Sequence, residues 1–238
     1  MDRPAARQIV AMGGGGFLMD DPVLDRFALG LTGASRPRIA FIPTASGDAA
    51  SAIVTFFDAF PARSFEPSVL RLFDRHVADL DAFCGDQDLI YVGGGNTAIL
   101  LAAWRTHGLD AALRTAYDAG VVMAGMSAGA NCWFEASTTD SFLMGRADAL
   151  ADGLAFLPGS FTPHYAGEDA RRPSLHEHVA AGRLPDGFAC DDFAALHLVD
   201  GRLSEAVASR AGAGAYRVAR GAAGGVTEEP LEVRPLPD

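Results

Sequence analysis

Short apolar runs alternate with segments of helical spacing along the first half of the chain. Five runs have the near-continuous apolar character of strands that are buried on both faces: RQIVAMGGGG, RIAFIPTAS, SVLRLF, DLIYVGGGNT and GVVMAGMSAG. Between these runs, apolar residues recur at helical intervals in VLDRFALGL, AIVTFFDAF, AILLAAWRTHG and LDAALRTAYDAG. Such alternation predicts an α/β fold with a mostly parallel sheet and helices on both faces.

The pattern changes after residue 187. The extended runs AALHLV and RLSEAV flank Asp200-Gly201, a dipeptide typical of two-residue hairpin turns. The runs AYRVARG and PLEVRPL are candidates for further antiparallel strands at the edge of the sheet. Because the chain shows no internal repeat, no low-complexity linker and no clear boundary, we expect residues 1–238 to form a single domain.

Composition and charge narrow the class of protein. The 238 residues are 49% hydrophobic, which suffices for the core of one α/β domain. The chain carries 30 acidic and 19 basic residues without a basic stripe, which argues against a nucleic-acid-binding or membrane-surface protein. Since the N-terminus has no signal-peptide pattern and no long apolar stretch occurs, we expect a cytoplasmic protein. Three well-separated cysteines predict buried free thiols rather than disulfides: Cys84, Cys132 and Cys190.

Glycine-rich turns follow several of the predicted parallel strands, at the sheet edge where such folds bind ligands. These turns are Gly13–Gly16, Gly93–Gly95 and the stretch GMSAG around Ser127. The last one matches the pattern G-x-S-x-G, a strand–turn–helix elbow that exposes the serine hydroxyl as a nucleophile. The alternative is a tight turn that needs small residues only for packing.

A serine hydroxyl needs a base to remove its proton and an acid to orient that base. His164 in TPHY follows an apolar run and Pro163, at a predicted strand end from which a base can reach the elbow. A loop histidine without a function is the alternative. His176 and His178 do not form the pattern H-E-x-x-H, so we expect no metal site there.

Candidate acids and oxyanion donors also lie at strand ends. Asp191 and Asp192 follow a predicted strand and point to opposite sides of it, so one can face the site. An acidic turn without a catalytic role is the alternative. The amide of Ala128 is the usual first oxyanion donor of an elbow, and Gly94 or Gly95 can supply a second. Neither GGGNTA nor MGGGGF is a complete nucleotide-binding motif, so we expect no bound nucleotide.

Five segments together resemble the peptidase E family, which includes aspartyl dipeptidases and cyanophycinases. IPTAS, YVGGGNT, GMSAGAN, TPHY and DDFAALHLVDG occur in the order seen in that family, over roughly residues 9 to 205. The resemblance implies a class I glutamine amidotransferase-like, flavodoxin-like fold with serine at the elbow. It also implies Ser127 as nucleophile, His164 as base, and Gly95 with Ala128 as oxyanion donors. The family's acid is usually a glutamate; aligned there, Asp192 takes its place, and Asp191 is the weaker candidate.

The chain departs from its relatives where they recognise an acidic side chain. Aspartyl dipeptidases of the family carry an arginine shortly after the elbow, whereas the matching segment FEASTTDSF has Ser137 near that place. A buried carboxylate without a partner is costly, so we do not expect strict aspartyl specificity. Three arginines are possible substitutes: Arg146, Arg171 and Arg172. The residues predicted to contact substrate are Gly94, Asn96, Ser137 and Tyr165.

The sequence therefore predicts a serine exopeptidase that hydrolyses short peptides through an acyl-enzyme. We expect an aminopeptidase or dipeptidase of broad specificity, without metal or cofactor, acting as a monomer or homodimer. The alternatives are a carboxypeptidase, an amidase or esterase on the same triad, and a non-catalytic amidotransferase-like binding protein. The sequence leaves open which peptide terminus is recognised.

Overall fold

A computed structural model of the protein describes residues 6–221 and 224–237. The predicted domain of residues 1–238 thus includes residues 1–5, 222–223 and 238, which lie outside the described ranges. The strands are β1 (Gln8–Met12), β2 (Arg38–Ile42), β3 (Glu66–Val69), β4 (Leu89–Val92), β5 (Val122–Met126), β6 (Phe134–Thr139), β7 (Asp148–Leu150), β8 (Leu157–Thr162), β9 (Gly187–Cys190), β10 (Ala194–Val199), β11 (Arg202–Ala208), β12 (Ala215–Arg220), β13 (Val226–Pro230) and β14 (Val233–Pro235). The helices are α1 (Pro22–Gly30), α2 (Ala50–Ala59), α3 (Leu80–Gly85), α4 (Thr97–His107), α5 (Leu109–Asp118), α6 (Ala128–Asn131) and α7 (Arg171–Ala180).

The larger sheet has the strand order β14-β11-β10-β1-β5-β4-β2-β3. The five strands from β1 to β3 in this order pair in parallel, and they correspond to the five apolar runs of the sequence. The hairpin of β10 and β11 is also confirmed, with positive φ angles of 49° at Asp200 and 78° at Gly201. Two positive φ values are what a type I′ turn requires.

Helices cover both faces of this sheet, as predicted. Alternate residues of β1 point into different cores because side chains alternate across a strand. Ile9 and Ala11 belong to the core that includes residues of α3, α4 and α5, whereas Val10 and Met12 belong to the core with α1 and α2. The fold is therefore an α/β fold with a mostly parallel, doubly covered sheet.

The sequence did not predict a second sheet, of order β13-β12-β9-β8-β6-β7. AYRVARG forms β12, which is antiparallel to its neighbours but lies in this second sheet and not beside the hairpin. PLEVRPL supplies β14, which pairs with β11 in parallel, so the expectation of an antiparallel strand was wrong. Strands β6 and β8 read FEASTT and LPGSFT, and such polar segments lack the apolar signal of a buried strand.

The structure also bears on the cysteines and on the length of the helices. All three cysteines are buried and free, as predicted. Among the described residues, no helix combines the length and the apolar character that crossing a membrane needs.

Candidate active site

Ser127 lies at a sharp turn between β5 and α6. Its φ of 54° and ψ of −116° are unusual for a residue with a side chain, and such strain is found at functional sites. The flanking glycines permit this turn, because a Cβ at Gly125 would overlap the Gly129 carbonyl and a Cβ at Gly129 would overlap that of Val92. Ser127 is partly exposed between the buried residues Met126 and Ala128. The small residues thus let the helix pack closely on the sheet while the serine remains accessible.

His164 contacts the carboxylate of Asp192. The histidine follows β8 and Pro163, with a φ of 53°, and its Nδ1 lies 2.6 Å from Oδ1 of Asp192. The hydrogen bond to His164 holds the pKa of Asp192 below its usual value. The carboxylate therefore accepts the Nδ1–H of the imidazole, which leaves Nε2 of the neutral ring as a proton acceptor.

The loop after β1 joins this pair to the serine turn. The amide of Ser127 donates to the carbonyl of Met12, the last residue of β1, at 3.2 Å. Two residues later, Gly14 forms a parallel bridge with Asp192. A Cβ at Gly14 would overlap Oδ1 of Asp192 and lie 3.2 Å from Cε1 of His164. One short loop thus places Ser127, His164 and Asp192 around the same end of the sheet.

Asp191 points away from His164. Its Oδ1 accepts the amide of Ala166 at 2.9 Å, and its Oδ2 accepts the amide of Gly214 at 2.8 Å and the hydroxyl of Tyr216 at 3.3 Å. The predicted opposite orientation of the two carboxylates is what the structure shows. Asp191 fixes the chain just after His164, and Asp192 is the carboxylate that reaches the imidazole.

Three backbone amides near the serine turn donate in no hydrogen bond within the described part of the chain: those of Gly94, Gly95 and Ala128. Gly94 packs against the serine, so that a Cβ there would lie 3.3 Å from Cβ of Ser127. Within the described part of the chain, neither Gly94 nor Gly95 donates its amide in a hydrogen bond. Ala128 is the first residue of α6, where an amide lacks an intrahelical acceptor. These groups are available as donors to an oxyanion.

The other residues predicted to contact substrate have internal partners or are enclosed. Asn96 caps α4 by accepting the amide of Ile99 at 2.9 Å, and its Nδ2 donates to the Ser141 carbonyl at 3.0 Å. Ser137 is fully buried. The hydroxyl of Tyr165 donates to Glu228 at 2.6 Å. In this structure, Ser137 and Tyr165 therefore present no accessible hydroxyl to a substrate.

Two of the three candidate arginines are occupied by carboxylates. Arg171 is 3% exposed and pairs with Glu168 at 2.6 Å and with Asp140 at 3.3 Å. Arg172 pairs with Glu228. Arg146 is exposed, and its side chain has no ion pair with any described residue.

A buried polar cluster behind the site was not predicted. Asn131 donates to the Thr138 carbonyl at 3.1 Å, and the hydroxyls of Thr138 and Thr162 lie 3.0 Å apart. Arg171 also donates to the Thr138 carbonyl, at 3.3 Å. Only the Ser/Thr run of β6 hinted at this cluster, since these residues need partners when they are buried.

The two histidines that the sequence analysis considered as metal ligands contact carboxylates of the protein. His176 lies 2.8 Å from Glu228, and His178 lies 3.1 Å from Asp148. No group of three or more metal-ligating side chains occurs in the described ranges.

Comparisons with known proteins identify the family of this chain. The model of peptidase family S51 matches residues 9–206. The uncharacterized peptidase YgaJ of Bacillus subtilis (strain 168) is 48% identical over 232 residues, which cover 97% of this chain and 99% of YgaJ. The chain therefore belongs to peptidase family S51, the peptidase E family, and its class is that of a peptidase.

Solved structures show the same fold at low sequence identity. A peptidase from an acI-B1 Actinobacterium has a TM-score of 0.71 at 17% identity, over 97% of this chain and 96% of that one. A candidate peptidase E protein from Listeria monocytogenes EGD-e has a TM-score of 0.61 at 18% identity, over 84% of this chain and 97% of that one. The class I glutamine amidotransferase-like fold predicted from the sequence is thereby confirmed.

Proposed function

We propose that the protein is a serine exopeptidase that hydrolyses short peptides with Ser127, His164 and Asp192. The observation that carries the proposal is the 2.6 Å contact between Nδ1 of His164 and Oδ1 of Asp192, beside a strained, accessible serine. Membership of a peptidase family supports the reaction type. As part of the same proposal, the enzyme is cytoplasmic, needs no cofactor, and acts as a monomer or homodimer.

The residues divide the chemistry among them. Nε2 of His164 takes the proton of the Ser127 hydroxyl as Oγ attacks the peptide carbonyl carbon. The tetrahedral intermediate then collapses, the C–N bond breaks, and His164 returns the proton to the leaving amine. Water attacks the resulting ester with His164 again as base, which releases the carboxylate product and restores Ser127. Asp192 stabilises the imidazolium in both steps.

The free amides stabilise the oxyanion in this scheme. The negative charge on the tetrahedral intermediate is met by the amides of Ala128 and Gly95, the two donors expected from the family. Because these amides are fixed in the fold, they need no reorganisation as the charge develops. Removal of one such donor typically costs about 2.7–4 kcal/mol in the transition state.

The charges around the site favour uncharged side chains and a free amino terminus. Arg171 is neutralised by two carboxylates and is not free to bind an acidic side chain. A cavity of about 340 Å³ beside the turn after His164 is lined by Asp140, Glu168 and Asp169. The three carboxylates outnumber the one arginine that pairs with two of them, so the lining keeps a net negative charge that attracts an ammonium group and repels a carboxylate. We therefore propose an aminopeptidase or dipeptidase of broad specificity.

A peptide panel tests this proposal. Leu-Leu, Leu-Leu-Leu and their N-acetylated and C-amidated forms are incubated with the enzyme, and the products are identified by mass spectrometry. We expect cleavage that N-acetylation blocks; C-amidation leaves it intact in an aminopeptidase and also blocks it in a dipeptidase. Cleavage that C-amidation alone blocks would establish a carboxypeptidase instead, and no cleavage of any peptide would contradict the exopeptidase proposal.

A further inference from the structure

The loop between β6 and β7 exposes three consecutive large apolar side chains. Phe142 and Leu143 are each 61% exposed, and Met144 is 93% exposed. These residues, here called the apolar tip, belong to none of the hydrophobic clusters formed by the described residues. Contiguous exposed apolar surface is unfavourable in water and marks binding sites in soluble proteins.

Hydrogen bonds fix the start of this loop to the segment that carries the Gly94 and Gly95 amides. The Ser141 carbonyl accepts Nδ2 of Asn96 at 3.0 Å, and the Ser141 hydroxyl lies 3.3 Å from the amide of Ala98. Asn96 follows Gly94 and Gly95 directly in the sequence, and Gly94 packs against Ser127. The apolar tip thus begins one residue after Ser141, which is hydrogen-bonded to Asn96 beside the Gly94 and Gly95 amides.

Ion pairs also connect this loop to the turn that follows the catalytic histidine. Asp140 pairs with Arg171 at 3.3 Å, and Arg171 pairs with Glu168 at 2.6 Å. The amide of Glu168 donates to the His164 carbonyl at 3.0 Å, so Glu168 belongs to the turn that carries the histidine. After the tip, the Ala147 carbonyl accepts the Ser174 hydroxyl at 3.0 Å. The loop therefore has a base anchored to the segments of Asn96 and Glu168, and an apolar tip whose side chains belong to no hydrophobic cluster of the described residues.

We propose that the apolar tip selects substrates by packing against a large apolar side chain next to the scissile bond. The enzyme then prefers peptides with residues such as leucine, methionine or phenylalanine over peptides with polar uncharged residues of the same size. This inference rests on the proposed function, and it narrows the broad specificity to apolar peptides.

The extent of the surface favours a substrate side chain over a second copy of the chain. The three side chains together expose on the order of 400 Å², about half of the ~800 Å² per partner in a stable protein interface. A single large aromatic side chain buries about 150–250 Å², so part of this surface suffices to cover it. The loop base is hydrogen-bonded to Asn96 and, through Arg171, connected to Glu168, two residues that flank the proposed site.

Replacement of the tip by serines tests the proposal. The triple variant Phe142→Ser, Leu143→Ser, Met144→Ser and the wild type are assayed with Leu-Leu and with Asn-Asn, whose side chains have nearly the same shape. We expect the wild type to prefer Leu-Leu by ~10–200-fold in kcat/KM. In the triple variant this ratio falls at least about tenfold through a higher KM for Leu-Leu, while kcat stays within about threefold.

A matched control separates selectivity from general loss of apolar surface. Val54 and Phe57 on α2 are 60% and 44% exposed, and the double variant Val54→Ser, Phe57→Ser keeps the wild-type ratio. A folded triple variant that retains the wild-type ratio overturns the proposal. The proposal is also overturned if sedimentation shows that the wild type is a dimer and the triple variant a monomer, while the ratio of kcat/KM values for Leu-Leu and Asn-Asn is the same in both. Wild-type protein that hydrolyses no peptide at all contradicts the proposed function itself.

Discussion

Nδ1 of His164 and Oδ1 of Asp192 lie 2.6 Å apart, although aspartate is one methylene shorter than the glutamate that the peptidase E family usually has here. The loop after β1 leaves room for this contact. Gly14 pairs with Asp192 in a parallel bridge, and its lack of a Cβ leaves room for the carboxylate. His164 itself has a positive φ of 53°.

Replacement of each of the two neighbouring aspartates by asparagine separates their roles. Asp192→Asn removes the charge that fixes the Nδ1–H tautomer, so we expect kcat to fall by about 10⁴-fold with little change in the fold. Asp191→Asn weakens the contacts with Ala166, Gly214 and Tyr216, so we expect lower thermal stability and a much smaller loss of kcat. Steady-state kinetics and thermal unfolding of both variants check this. The reverse pattern would assign the catalytic role to Asp191.

A methyl group at Gly14 tests the packing that supports the pair. Gly14→Ala places a Cβ against Oδ1 of Asp192, so we expect separation of His164 from Asp192 and a loss of kcat of at least about 100-fold. Gly30→Ala is the control, because a Cβ at this position, the end of α1, meets no atom within 4 Å. Gly30→Ala keeps full activity. Comparable kinetics of the two variants would show that the Gly14 loop does not position the pair.

Asp25 makes stability depend on pH. The side chain is 3% exposed, and burial raises its pKa to about 7, against the opposing effects of the Tyr91 hydroxyl and the Phe17 amide. The folded state thus keeps a proton that the unfolded state loses near pH 4, and stability falls as the pH rises from about 4 to 7. A shift of about three pKa units corresponds to roughly 4 kcal/mol.

Asp25→Asn removes this dependence. We expect the free energy of unfolding of the variant to exceed that of the wild type at pH 8, with a difference that shrinks toward pH 4. Urea unfolding across this range measures the difference. Asp58→Asn, at an exposed carboxylate on α2, serves as the control. A constant difference between wild type and Asp25→Asn at all pH values would show that Asp25 is ionised in the fold.

Much of the fold follows from the sequence because the central strands and their helices carry strong apolar periodicity. The elbow is a local motif, so the sequence predicts Ser127 directly. The second sheet escapes prediction because Ser160, Thr138 and Thr162 are buried through hydrogen bonds that exist only after folding. The sequence does not predict the ion pairs of Arg171 for the same reason, since Asp140 lies 31 positions away.

Substrate profiles test the consequence of the occupied Arg171. We expect kcat/KM values for Leu-Leu, Ala-Leu and Met-Leu that lie within ~10–200-fold of one another, with the larger leucine and methionine favoured, and no preference for Asp-Leu. Arg171→Gln leaves Glu168 and Asp140 without their partner, so it lowers stability by roughly 1–3 kcal/mol and reduces activity on Asp-Leu and Leu-Leu alike. A selective loss on Asp-Leu would instead identify Arg171 as the receptor of an acidic side chain. Such a loss in Arg146→Ala would assign that role to Arg146.

Labelling of the nucleophile tests the central claim most directly. A fluorophosphonate that reacts with activated serines is added to the wild type and to Ser127→Ala, and the modified residue is located by peptide mass spectrometry. We predict stoichiometric labelling of Ser127 in the wild type, none in Ser127→Ala, and a kcat for peptide hydrolysis at least ~10⁴-fold lower in the folded variant. Peptide hydrolysis at the wild-type rate by Ser127→Ala would contradict the account.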